Sequence, residues 1–174
     1  KPSSHFSRTQ KISRRLKKKF KKPKRPFEKE RQVEELEFLG KFGLRNKREF
    51  WKMRTILGNW RSLARQSRSM PQERATEVQQ TLIKKLVKLG VLGSDAGFED
   101  VLLLTVEDIL RRRLQTLVFE KGYAKSIYQA RQFVVHGHIQ VRGKKINAPS
   151  YIVKKEEEDM IGYAPSSPLS AVKE

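Results

Sequence analysis

The sequence predicts an α+β fold that is mainly α: an N-terminal helical subdomain followed by a small module in which two helices pack on a short β-hairpin. Three observations carry this. From residue 28 to residue 120 apolar residues recur mostly at three-to-four spacing, the stripe with which a helix buries one face. Ser126 to Gly137 reads as a short capped amphipathic helix. At Ile139 the period becomes two, with Ile139 and Val141 pointing one way and His138, Gln140 and Arg142 the other.

Taken in order, residues 1–27 hold twelve Lys or Arg and no Asp or Glu, broken by Pro23 and Pro26. Such a segment cannot bury enough apolar surface to offset its ordering entropy. It is expected to order along a polyanion, through Arg14, Arg15, Lys18, Lys19, Lys22, Lys24 and Arg25. From Glu28 a helix is predicted with Val33, Leu36 and Leu39 on one face, Glu34, Glu35 and Glu37 turned away from any polyanion, and a break at Gly40 and Gly43.

Asn46 can cap the next helix, whose stripe is Phe50, Leu57, Trp60 and Ala64. Arg45 and Lys47, Arg48, Lys52 and Arg54 populate the remainder as candidate phosphate contacts, joined on the same helix by Arg61 and Arg65. Trp60, on the stripe, is expected in the core; Trp51, off it, is the better candidate for stacking on a base. Arg65 to Glu73 reads as a loop. A third helix runs through Ala75, Val78, Leu82, Leu86 and Leu89 to Gly90, and Val91 to Asp100 is a loop.

Thr105 precedes Asp108 at N-cap spacing, so the module's first helix is expected there, continuing through Leu110, Leu114, Leu117 and Val118 until Gly122, with Arg111, Arg112, Arg113 and Lys121 off its stripe. Ser126 and Gln129 form the next capping pair, ahead of Ala130, Phe133 and Val134. Arg142 to Lys145 is read as the hairpin turn and Ile146 as the start of the return strand. Glu156 to Asp159 reads as a solvated turn and the last residues as a loose tail. The resulting division is a basic extension, 1–27; a helical subdomain, 28–104; the module, 105–163; and a flexible tail, 164–174.

Composition narrows the function. A net charge of +20 with pI about 10.4 implies strong self-repulsion until something anionic neutralises it. There is no cysteine, which excludes disulfides and thiolate zinc sites. No apolar run approaches the roughly 20 residues that span a bilayer. Catalysis is not expected: Ser126 is a helix cap with no base beside it, and no glycine-rich phosphate loop is present. His136 and His138 do not make a metal set, so neither metal nor cofactor is expected. Basic helix faces beside a basic hairpin suit folded RNA, where Arg and Lys meet phosphates and Ser and Gln meet 2′-hydroxyls.

Arg113-Leu114, Gly122, Ala124-Lys125-Ser126, Ala130-Arg131, Gly137-His138-Ile139 and Val141-Arg142-Gly143 resemble the RNA-binding module named after universal small-subunit ribosomal protein four. Arg25 to Lys29, Gly43 to Glu49, Arg112 to Thr116 and Asn147 to Val153 extend the resemblance to the archaeal and eukaryotic form of that protein family, called small-subunit protein nine in eukaryotes, over about Arg25 to Tyr163. It implies an RNA-facing set of Arg112, Arg113, Lys121, Lys125, Ser126, Gln129, Arg131, Gln132, Arg142, Lys144 and Lys145. It further implies a structural protein that binds a multi-helix junction of the rRNA 5′ domain, supports assembly, and lines the mRNA entry region beside universal proteins three and five, in the cytoplasmic ribosome with nucleolar passage if eukaryotic. Neither a membrane nor a second copy is an expected partner. The rival readings are the related nucleolar assembly factor of the U3 particle, an RNA-modifying enzyme anchored by the module, and a generic packaging protein.

Overall fold

The computed structural model describes residues 18–169; Arg14 and Arg15 lie outside the described residues. Among these residues seven α-helices, a short 3-10 turn and a three-stranded sheet follow in chain order: α1 Lys29–Lys41, α2 Lys47–Ser67, α3 Gln72–Lys88, α4 Asp100–Leu103, α5 Val106–Arg111, α6 Leu114–Glu120, α7 Ile127–Val135, β1 Ile139–Val141, β2 Lys144–Lys145, the 3-10 turn Lys155–Glu157 and β3 Ile161–Tyr163. Among the described residues no helix is long and apolar enough to cross a membrane.

Helix α2 is the centre of the larger of two apolar clusters. Asn46 Oδ1 accepts from the Glu49 N–H, so the predicted cap starts the helix. Its stripe of Phe50, Leu57, Trp60 and Ala64, with Met53 added, is buried against Leu82 and Leu86 of α3, Val101 of α4 and Ile109 and Leu110 of α5. Two details differ from the sequence reading. The helix runs on through Ser67, whose buried hydroxyl donates to Ala64 O and accepts from Gln79 Nε2, so polar Ser67 is satisfied inside the contact with α3. Helix α1 is also rotated: Val33 and Leu36 face solvent, 66% and 58% exposed, while Glu35 is buried. Arg31, Lys47 and the Trp51 indole N–H converge on the Glu35 carboxylate, and that polar cluster with Phe38 and Leu39 sets the inward face.

The Thr105 capping box forms as expected, Asp108 Oδ2 accepting from the Thr105 N–H and hydroxyl at 2.8 Å. The helix that starts there is not continuous to Gly122. It stops at Arg111, because the next backbone groups pair with an extended segment: Val153 N–H donates to Arg112 O and Leu114 N–H to Tyr151 O, around a bridge between Arg113 and Ile152. Helix α6 restarts at Leu114 and packs on α7 and the sheet in the second cluster, built from Leu114, Leu117, Val118, Ala130, Val134, Ile139, Val141, Val153 and Ile161.

The sheet order is β2-β1-β3, both pairings antiparallel. The hairpin turn is tighter than expected. Arg142 and Gly143 both have positive φ, 53° and 74°, the two-residue turn whose twist matches the flanking strands. Lys144 and Lys145 are therefore strand residues, paired with Val141 and Gln140. The segment after β3 is not loose as far as Leu169: Ala164 N–H donates to His138 O, and Ser167 is buried with its hydroxyl 3.0 Å from His138 Nδ1.

Candidate nucleic-acid interface

The cations expected on one outward face divide into two sets, and acidic residues far away in sequence make the division. Glu49, one turn into α2, is gripped from the module: Arg113 Nη2 donates to it at 2.7 Å, Arg131 Nη2 at 2.8 Å and Arg131 Nη1 at 3.3 Å. Arg131 also donates to Gln115 Oε1, and the buried Gln115 amide donates to Gly43 O and Ile127 O. Burial pushes the Glu49 carboxyl up, but the bonds from Arg131 and Arg113 outweigh it and hold the group below its ordinary range. Burial pulls the Arg113 guanidinium down more than Glu49 restores it.

Arg113 is 1% exposed, so the expectation that it faces outward is corrected: it is an interior cation. Arg112 is likewise enclosed, donating to Glu158 Oε2, Leu89 O and Val153 O. Lys121 donates to Glu158 O and lies 3.4 Å from Asp159. Glu157 is buried, accepting from the Tyr151 hydroxyl and the Lys154 N–H, with Arg142 at 3.7 Å. The run Glu156 to Asp159 is thus a solvated turn only at its ends: Glu156 and Asp159 are exposed, while Glu157 is buried and Glu158 holds Arg112. Ser126 Oγ accepts from the Gln129 N–H and Gln129 Oε1 from the Lys125 N–H, so both polar groups are engaged in starting α7.

The exposed set is Lys125, Gln132, Arg142, Lys144 and Lys145 on the module, Arg45, Arg48 and Arg54 around α2, and Lys18, Lys19, Lys22, Lys24 and Arg25 before α1. Lys47 and Lys52 are half-buried, Lys47 lying 3.4 Å from Glu35. Part of this set is brought together by packing. Gly43, at φ +56°, sits so close to α7 that an added Cβ would fall 2.8 Å from Gln115 Nε2 and 2.9 Å from Ile127 Cγ2. This packs the turn before α2 against the start of α7, at a point two residues before Arg45 and two residues after Lys125. Arg48 shares a cleft with Lys22 and Lys24, and a second cleft of about 570 Å³ that also reaches Trp51 is lined by Lys21, Lys22, Lys24, Arg25, Arg54 and Arg65. The result is a basic tract along α2, shared with the segment before α1.

Lys21, Asn59 and Ser62 of this cleft stood outside the expected set, and Arg65 was expected on the outward side of α2. Their signal was in the sequence: Arg54, Gly58, Ser62 and Arg65 fall at helical spacing on one non-apolar side of α2. Trp60 is in the core as predicted. Trp51 is not a free plate, since its N–H donates to Glu35 Oε1 at 3.0 Å and Phe20 packs 6.0 Å from its ring. Among the described residues no three His, Cys, Asp or Glu side chains gather as a metal-ligand set.

Comparison with known proteins bears on this arrangement. The S4 domain family model matches residues 112–161. The chain is 50% identical over 153 residues to small ribosomal subunit protein uS4 of Hyperthermus butylicus, covering 88% of this chain and 87% of that one. It is 48% identical to the uS4 of Ignicoccus hospitalis, covering 89% and 93% of the two chains, and 48% identical to that of Methanothermobacter thermautotrophicus, covering 90% and 91%.

Proposed function

The chain belongs to the small ribosomal subunit protein uS4 family, and from that premise we propose that it is a structural, RNA-binding constituent of the small ribosomal subunit. The observation that carries the reading is the separation of cations: one set is consumed by internal carboxylates and fixes the module against α2, and the other is left exposed, part of it gathered in the clefts along α2. A rigid display of exposed Lys and Arg recognises the shape of folded RNA through phosphates, with no need to read bases. Its place in the particle is a multi-helix junction of the rRNA 5′ domain, beside universal proteins three and five near the mRNA entry region, as the family resemblance implies.

Sedimentation tests the proposal. The tagged chain should co-sediment with mature small subunits and survive a high-salt wash. Presence only in precursor particles would favour the nucleolar assembly factor of the same family and sink this reading.

A further inference from the structure

Positive charge dominates this molecule, and α1 departs from it. Its inward face is Arg31, Glu35, Phe38 and Leu39, so the opposite face presents Val33, Leu36 and Gly40 at i, i+3 and i+7, with Glu30 and Glu37 alongside, Glu34 at the edge and exposed Lys29 one turn before Val33, three carboxylates against one ammonium. A Cβ on Gly40 would meet nothing within 4 Å, which leaves the seam open to close approach by another backbone. Phe27, 87% exposed, stands just ahead of the helix. Glu30, Glu34 and Glu37 have no ion-pair partner among the described residues, and nearby Lys41 is committed to Glu107 at 2.7 Å.

RNA is a poor occupant for this face, since phosphates repel the three carboxylates and give no cover to Val33 and Leu36. A second copy fits no better, because a two-fold contact would set the same acidic seam against itself. The complementary surface is an apolar ridge flanked by lysines or arginines. We infer that the Val33–Leu36–Gly40 face of α1 docks a basic protein of the same particle through such a ridge, an inference that rests on the chain working inside a ribonucleoprotein.

The test places a photo-cross-linking amino acid at Leu36 and, separately, at Lys144 of the full chain assembled into native small subunits, with the adducts sequenced. The Leu36 probe is expected to label another protein at a segment carrying apolar residues beside Lys or Arg, and the Lys144 probe to label rRNA. Leu36 adducts on rRNA, on an acidic protein, on this chain or on a second copy overturn the inference, as does no Leu36 adduct when the Lys144 probe labels rRNA. If the chain does not enter native small subunits the ribosomal reading itself fails, and if it enters them but the Lys144 probe finds no rRNA the RNA-facing role of the hairpin fails, whatever Leu36 labels. The variant with Glu30→Lys, Glu34→Lys and Glu37→Lys alters exposed side chains only. It should keep its melting temperature yet reduce the partner's occupancy in purified subunits by about tenfold, through like-charge repulsion at the seam; undiminished occupancy refutes the docking.

Discussion

Replacing Glu49 with Gln removes one carboxylate and leaves two guanidiniums facing each other in a nearly dry seam. The Glu49 side chain is 14% exposed, and those of its partners Arg113 and Arg131 are 1% and 21% exposed. Breaking a buried ion pair from one side costs about 3–5 kcal/mol, because the remaining charge stays buried without its partner. Gln retains one accepting oxygen, so the low end applies, about 3 kcal/mol. The reverse deletion behaves differently. Arg113 Nε and Nη1 are buried with no hydrogen-bond partner among the described residues, so the folded state already carries a desolvation cost that Arg113→Met removes, and Glu49 keeps Arg131. That variant should lose only about 1 kcal/mol or less.

Urea unfolding followed by tryptophan fluorescence and circular dichroism measures both. The reasoning is wrong if Arg113→Met destabilises as much as Glu49→Gln. Acid supplies a second reading: Glu49 has a folded pKa held below its ordinary 4.5, so its contribution is full above that value and is lost as pH falls through the lower folded value. Stability of the wild-type chain should therefore drop across that acid window by more than stability of Glu49→Gln.

Other substitutions separate packing from binding. Gly43→Ala adds a Cβ into Gln115 and Ile127 at a left-handed backbone position and should destabilise by about 1–3 kcal/mol in thermal melts, whereas Gly58→Ala, in open space on α2, should be neutral or stabilising by up to about 1 kcal/mol. Trp51→Phe removes the donor to Glu35 and should cost about 1–2 kcal/mol by the same measurement; no change would mean the bond contributes nothing. Lys125, Lys144 and Lys145 replaced together by Ala should leave the melting temperature unchanged and lower the log-log salt slope of rRNA binding by roughly 0.7 to 0.9 for each phosphate that is no longer neutralised. Arg112→Ala should instead lower the melting temperature, since Arg112 ties Leu89, Val153 and Glu158 together.

Local patterns were legible wherever one residue type decides the outcome alone. The Asn46, Thr105 and Ser126 caps, the α2 and α3 stripes and the change of period at Ile139 follow from short-range geometry, and all stand in the structure. The rotation of α1 was not legible, because Val33 and Leu36 outscore Glu35 on hydropathy. Only the arrival of Arg31, Lys47 and the Trp51 N–H makes a buried carboxylate tolerable. The break after Arg111 was hidden for the same reason: it depends on residues 151–153, some forty positions further on.

The sorting of the cations shows the same limit and gives it a functional consequence. Side chains off an apolar stripe look alike in sequence, and partners such as Glu49 and Glu158 decide which become structural. Structural cations do not release counterions from RNA, but they hold the exposed ones at fixed separations: the Glu49 clasp on Arg113 and Arg131 sets Arg45 and Arg48 relative to Lys125. Two kinds of binding defect should therefore be distinguishable. Loss of exposed lysines lowers affinity together with the salt slope, because fewer phosphates are neutralised. Glu49→Gln, under conditions where it remains folded, should weaken rRNA binding with the slope nearly unchanged, since the exposed cations are all still present and only their alignment is disturbed. A slope that falls in Glu49→Gln by as much as in the triple lysine variant would show that the clasp does not set the geometry of the tract.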